Sequence, residues 1–179
     1  MGMIKTIMEV LCDNFHKKET KYMTERIQTL SDLLAKSIQP VDIIAKETQK
    51  INPAEIISNI GDVVIADYPY LAMDYSSWQD NLRRIYYELG NKLSYEPNIF
   101  DCDDFALIFA STVAYSAYKS GWDNQPAIGI AWSIKHAFLL FVCNNGDVYL
   151  YEPQVGVTIG RLGDDLSEMY RVRKVWFLS

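Results

Sequence analysis

The sequence predicts an α+β protein in which one buried helix packs against a small antiparallel sheet. Three observations favour this class: helical apolar spacing through the first third of the chain, a strongly apolar helical pattern near its middle, and β-rich runs in its last third. The chain has 179 residues, of which 49% are hydrophobic and 22% charged. A packed core is therefore expected, in one globular domain with additional length.

Residues 1–60 are predicted to form a helical N-terminal region. Its apolar residues share one helical stripe between Lys and Glu faces, namely Met23, Ile27, Leu30 and Leu34. Pro40 ends that helix, and a short helix with Asn52 as N-cap and Pro53 in its first turn stops at Gly61. The stripe can pack onto the rest of the chain, onto a second copy in a homo-oligomer, or onto another partner, and its spacing leaves these alternatives open.

Residues 61–179 are predicted to form the main unit, which begins with a short strand and an ordered loop. A helix capped by a serine runs from Trp78 to Leu89, and a central, strongly apolar helix runs from Cys102 to about Lys119. Four β-rich runs follow, AIGIAW, AFLLFVC, DVYLYE and VRKVWFL. These runs predict the antiparallel sheet.

Charge and cysteine content exclude several functional classes. Lys and Arg number 17 against 23 Asp and Glu, and the net charge of -6 argues against a nucleic-acid partner. The three cysteines form no disulfide framework, and Cys12 and Cys143, which lie in apolar stripes, are expected to be inert. We find no signal peptide and no membrane span in the sequence. We therefore expect a cytoplasmic protein or, for a viral one, a protein of the virion or host cytoplasm.

The segment FDCDDFA places a candidate nucleophile at the start of the central helix. With Asp101 as N-cap, Cys102 lies in the first helical turn, where the helix dipole favours a thiolate. The carboxylates of Asp101, Asp103 and Asp104 oppose this effect, because negative charge raises a thiol pKa. A protonated histidine or a divalent cation held by the carboxylates would offset them. A buried, inert cysteine and plain helix capping are the alternatives.

His136 opens an apolar strand, and the turn after that strand decides which residue of the next strand it meets. A two-residue turn at Asn145–Gly146 would point Glu152 to the opposite face of the sheet. A three-residue loop, Asn144–Gly146, moves the register by one residue. Gln154 then lies across from His136, and Glu152 lies diagonal to it on the same face. Both turns are chemically allowed, and we favour the loop because it places a histidine and a carboxylate on one face.

These residues together form a nucleophile, a base and an orienting group. Cys102 would attack a carbonyl carbon, and His136 would exchange protons with the thiol and the leaving amine. Glu152 or Gln154 would fix the imidazole tautomer. The expected reaction is cleavage of an amide bond through a thioester acyl-enzyme.

The order DCDDFA, HAFLLFV and YLYEPQ resembles the transglutaminase-like branch of the papain-like cysteine hydrolases, especially the bacterial transglutaminase-like cysteine proteinases. The match covers roughly residues 95–155. It implies a papain-like core, a peptidase or amidase activity on a peptide or protein substrate, and the roles of nucleophile, base and third member for Cys102, His136 and Glu152. Glu-Pro-Gln stands where those proteinases usually have an Asp, so Glu152 and Gln154 both remain candidates.

The resemblance also implies a metal. Asp101 and Asp103 correspond to acids that bind calcium in calcium-dependent members, and no other cofactor is expected. Two adjacent carboxylates supply only part of the about 6–8 oxygens that calcium takes.

A binding protein is the alternative to an enzyme. The same papain-like core, without catalytic activity, would hold a peptide or a sugar in a cleft rich in aromatic side chains. Trp78, Tyr95, Trp132 and the tyrosines of the sheet are the candidates for lining that cleft. Contact between the Cys102 sulfur and the His136 ring separates the two hypotheses, since an enzyme requires it.

Overall fold

A computed structural model of the chain describes residues 39–90, 92–97 and 100–177. The predicted stripe between Met23 and Leu34, its expected partner contacts, and Cys12 lie outside the described residues. Among the described residues, no helix has both the length and the apolar character needed to cross a membrane.

Six strands form one mixed sheet. In spatial order they are β2 (Asp62–Ile65), β8 (Lys174–Phe177), β4 (Ile128–Trp132), β5 (Ala137–Val142), β6 (Val148–Glu152) and β7 (Val157–Arg161). β2 and β8 run parallel, and the other neighbouring strands run antiparallel. The four β-rich runs predicted from the sequence are all strands. The sheet is nevertheless larger than predicted and contains a parallel pair.

A second, two-stranded sheet pairs β1 (Thr48–Ile51) with β3 (Tyr70–Met73). β1 lies within the region predicted to be helical. Its pairing with β3 satisfies the backbone groups along one of its edges, and helical spacing contains no information about such a partner. The domain boundary at residue 60 stays a prediction.

The described part of the chain contains three α-helices, α1 (Pro53–Ile56), α2 (Tyr75–Gly90) and α3 (Cys102–Lys119), and a 3-10 turn (Glu168–Tyr170). α1 has the predicted cap, since the Asn52 side chain accepts from the Ala54 N–H at 3.2 Å. α2 begins one turn earlier than predicted. Asp74 is the reason, because its carboxylate accepts from the Ser77 N–H at 3.0 Å and so caps the earlier turn.

α3 is the buried helix that the sequence predicts, and its bounds match the prediction. It lies against β4 and β5 on one face of the large sheet. On the same face, the ring centroid of Phe109 is 5.3 Å from that of Tyr151 on β6. The opposite face buries a second apolar cluster that includes Tyr70, Phe138 and Phe177. Each such fully buried large side chain stabilises the fold by about 1.5–3 kcal/mol. The two layers bury β5 along its whole length, and β5 begins at the candidate site.

Candidate functional site

The loop between β5 and β6 has three residues, as predicted. The Cys143 N–H donates to the Asp147 carbonyl at 2.7 Å, and Gly146 adopts the left-handed conformation with φ 85°. Val142 therefore pairs with Val148. This register places Glu152 across from Phe138 and on the face of the sheet that His136 shares.

Glu152 meets His136 directly. The His136 Nε2 atom lies 2.5 Å from Glu152 Oε2, and the two side chains are only 11% and 6% exposed. Because a carboxylate only accepts, Nε2 carries the proton in this contact. Proton exchange with a nucleophile then falls to Nδ1, the other ring nitrogen.

Gln154, the alternative orienting residue, contributes its backbone instead. Its N–H donates to Glu152 Oε1 at 3.2 Å. Its side-chain Nε2 is buried without a hydrogen-bond partner among the described residues. Of the two candidates, Glu152 therefore holds the imidazole.

Cys102 lies at the start of α3, half-buried. Its sulfur accepts a hydrogen bond from the backbone N–H of Ala137, the residue next to His136. Asp101 is the N-cap residue, and its own N–H donates to the Asp104 carboxylate at 3.3 Å. The helix start therefore brings the sulfur to the end of β5 that carries the histidine.

The electrostatic environment of Cys102 does not favour a resting thiolate. Burial raises the pKa of the thiol most, and the negative charges of Asp101 and Asp103 raise it further, while the N–H groups of Ala137 and Asp103 lower it. Because the pKa of the thiol is raised, a base has to take its proton during attack. Cys143 is buried, as predicted, and its pKa is raised to about 12 by burial.

Asp101, Cys102 and Asp103 each place one ligand atom within 4.8 Å of the others. Burial, together with a hydrogen bond and charge repulsion from Asp101, raises the pKa of Asp103 to about 6. Two carboxylates and a thiol do not fit calcium by themselves, since calcium takes about 6–8 oxygens. Calcium at Asp101 and Asp103 stays a prediction.

The aromatic cleft predicted around Trp78 is wrong in part. Trp78 is fully buried, and its indole N–H donates to the Val142 carbonyl at 3.0 Å. Tyr95 is 55% exposed and Trp132 half-buried. Trp78 is therefore a core residue that no ligand can reach.

Sequence analysis missed Tyr170, which lies on the 3-10 turn. Its hydroxyl donates to Glu152 Oε2 at 3.1 Å. Its ring stands edge-on to those of His136 and Phe138, with centroids 5.7 and 5.3 Å away. No local pattern marks this residue, because it lies 18 positions after Glu152 in the chain.

Tyr170 also lines a cavity of about 460 Å³. Its apolar wall includes Leu150, Leu162 and Leu166. Its polar lining consists of Asn59, Asp164, Asp165, Arg171 and Arg173. The cavity therefore combines an apolar surface with groups that donate and accept hydrogen bonds.

Comparison with known proteins gives structural neighbours only. No protein-family model and no curated protein sequence matches the chain significantly. A solved structure titled "PSL1a-E64 complex" matches with a TM-score of 0.59 and 22% identity, covering 73% of this chain and 51% of that chain. Polyporus squamosus lectin, bound to the epitope Neu5Acα2-6Galβ1-4GlcNAc, matches with a TM-score of 0.55 and 20% identity, covering 73% and 49%.

The chain shares its fold with part of these lectin chains. It spans about half of their length. Because these neighbours are lectins, the resemblance to transglutaminase-like cysteine proteinases is wrong. The assignment to the hydrolases and cysteine peptidases, which depended on that resemblance, is wrong with it. The α+β, papain-like core with its small antiparallel sheet is wrong too, because the sheet has six strands and is mixed, and because the solved structures that share the fold are lectins. Three short segments in a given order do not determine how six strands are arranged.

Proposed function

We propose that the described part of the chain is a carbohydrate-binding module. The cavity beside Tyr170 carries the proposal, since a sugar ring presents both C–H surfaces and hydroxyl groups, and the cavity offers a partner for each. Its volume of about 460 Å³ is suited to a small saccharide. The fold shared with a lectin whose structure holds a trisaccharide supports the same class of ligand.

The polar lining contains both hydrogen-bond donors and hydrogen-bond acceptors. The carboxylates of Asp164 and Asp165 accept from hydroxyl groups, and the guanidinium of Arg173 donates to hydroxyl or carboxylate oxygens. Asp164 is held in place, because its Oδ2 accepts from the Arg161 N–H at 2.7 Å. A positioned carboxylate loses little entropy on binding.

Saturation-transfer NMR with galactose, N-acetylglucosamine, N-acetylneuraminic acid and the trisaccharide Neu5Acα2-6Galβ1-4GlcNAc tests this function. We expect transfer to at least one of them, and its loss in the double variant Asp165→Asn, Arg173→Gln. Asp80→Asn, Arg83→Gln is the matched control, since that exposed ion pair lies on α2. Transfer to none of the sugars contradicts the proposal, and transfer that survives in the first double variant contradicts the cavity as its site.

A second function is favoured by one specific observation, the meeting of the Cys102 sulfur with the strand end that carries His136. We propose acyl transfer at this thiol. The sulfur attacks a carbonyl carbon while Nδ1 of His136 takes the thiol proton, and a thioester forms as the leaving group departs with that proton. Glu152 stabilises the imidazolium that exists between the two proton transfers.

Iodoacetamide labelling followed by peptide mass spectrometry tests this second function. At pH 7 we expect Cys102 to react faster than Cys143. The substitution His136→Ala should slow the alkylation of Cys102 by about tenfold or more, because a positioned base accelerates a reaction by roughly 10²–10⁴. Tyr118→Phe, at a residue 70% exposed on α3, is the control. A Cys102 rate equal to that of the unfolded protein and independent of His136 contradicts the proposal.

A further inference from the structure

The phenol of Tyr170 lies against the carboxylate that holds the histidine. Its hydroxyl is 3.1 Å from Glu152 Oε2, the same oxygen that lies 2.5 Å from His136 Nε2. Glu152 Oε1 accepts from the Gln154 N–H. Both oxygens of the carboxylate are thereby fixed, each by a donor outside the histidine.

We propose that Tyr170 is a positioning residue for the thiol site, which holds the Glu152 carboxylate so that Oε2 faces His136. The inference rests on the proposed chemistry of Cys102. Without the hydroxyl, the Gln154 N–H is the one donor besides His136 itself that still holds the carboxylate, which can then rotate about its terminal bond. The imidazole then loses its fixed tautomer, and Nδ1 is no longer unprotonated and available as a base in every molecule.

The surroundings of Tyr170 suit this role. Its backbone is held by the 3-10 turn, where the Tyr170 N–H donates to the Ser167 carbonyl at 2.9 Å. Burial and the negative charge of Glu152 raise the pKa of Tyr170 to about 12, so the phenol remains a donor throughout the neutral range. The ring packs edge-on against His136 and Phe138, which limits the movement of the imidazole. The same side chain also lines the cavity, so it forms part of the wall between the two proposed sites.

Tyr170→Phe tests the inference, because it removes the hydroxyl and keeps the ring. We expect Cys102 alkylation at pH 7 to slow about fivefold, the ratio that corresponds to a hydrogen bond of ~1 kcal/mol. Long-range ¹H–¹⁵N spectra of the His136 ring should change from a proton on Nε2 to a mixture of tautomers, which a merely structural role would not produce. Tyr118→Phe is the control, and thermal unfolding checks that both variants are folded.

The outcomes separate the two proposals. If wild-type Cys102 shows no His136-dependent reactivity, the acyl-transfer function fails. If that reactivity is present, and both the alkylation rate and the tautomer are the same in Tyr170→Phe while Glu152→Gln changes them, the role of Tyr170 is refuted. A fall in rate in Tyr170→Phe without any change of tautomer also refutes it.

Discussion

His136 and Glu152 are 16 positions apart in the chain, and their side chains meet at 2.5 Å. The contact depends on the length of the loop between β5 and β6, and a loop shorter by one residue would abolish it. With three residues between Cys143 and Asp147, Glu152 lies on the face of His136, whereas a two-residue turn would point it to the other face. The carboxylate that results is buried, and it accepts from three groups.

Replacing Glu152 by Gln should weaken both the fold and the thiol site. An amide has one acceptor oxygen, so it cannot accept from His136 and Tyr170 at one position and from the Gln154 N–H at the other; at least one donor loses its partner, and we expect the free energy of unfolding to fall by about 1–3 kcal/mol. Urea denaturation measures the loss. Glu47→Gln, at an exposed carboxylate, should change it by less than about 0.5 kcal/mol. Equal stabilities for the two variants would contradict the buried, bonded carboxylate.

Asp103 should make stability depend on pH. Its pKa of about 6 exceeds its ordinary value of 3.8, so the folded protein binds this proton more tightly than the unfolded chain does. Stability from this group is therefore present below about pH 4 and is lost as the pH rises to about 6. Asp103→Asn should unfold at higher urea than wild type at pH 7.5, and the difference should disappear near pH 4.

The control for this prediction is Asp80→Asn, at an exposed residue of α2. It should show no such pH-dependent gain. An Asp103→Asn protein that is no more stable than wild type at pH 7.5 would show that the two carboxylates do not repel one another in the folded state.

Gly156 should not tolerate a side chain. Its φ is +74°, and a Cβ there would lie 2.5 Å from the ring of Tyr86. Gly156→Ala should therefore cost about 2–4 kcal/mol of stability, combining left-handed strain with overpacking. Gly146→Ala, at φ +85° with no atom near the added Cβ, isolates the strain and should cost about 1–2 kcal/mol. Adding Tyr86→Ala should recover part of the difference, and thermal unfolding gives the ranking.

Trp78→Phe should lower stability without affecting ligands. Loss of the indole N–H leaves the Val142 carbonyl without this donor and opens a small void, so we expect a cost of about 2 kcal/mol. Saccharide binding and Cys102 labelling should match wild type, because Trp78 is fully buried. Trp132→Phe, at a half-buried residue, should cost less. If a folded Trp78→Phe protein no longer bound saccharide, the prediction that Trp78 lines a binding cleft would be correct after all.

The elements that the sequence predicted correctly depend on residues close together in the chain. Asp101 begins α3 because a cap acts within its first turn, and the Asn144–Gly146 loop sets the register of Glu152 because a turn acts on the strands it joins. The turn residues allowed two registers, and the one favoured because it places a histidine and a carboxylate on one face is the one in which His136 and Glu152 meet.

The elements that the sequence did not predict depend on segments far apart. β1 pairs with β3, β2 pairs in parallel with β8, and Tyr170 reaches Glu152 from a turn that no apolar period marks. Strand order and side-chain packing between distant segments follow from how the whole core closes, since each pairing gains its free energy only when the others are present. The tertiary structure alone therefore decided which proteins this chain resembles, that Trp78 is buried, and where the cavity lies.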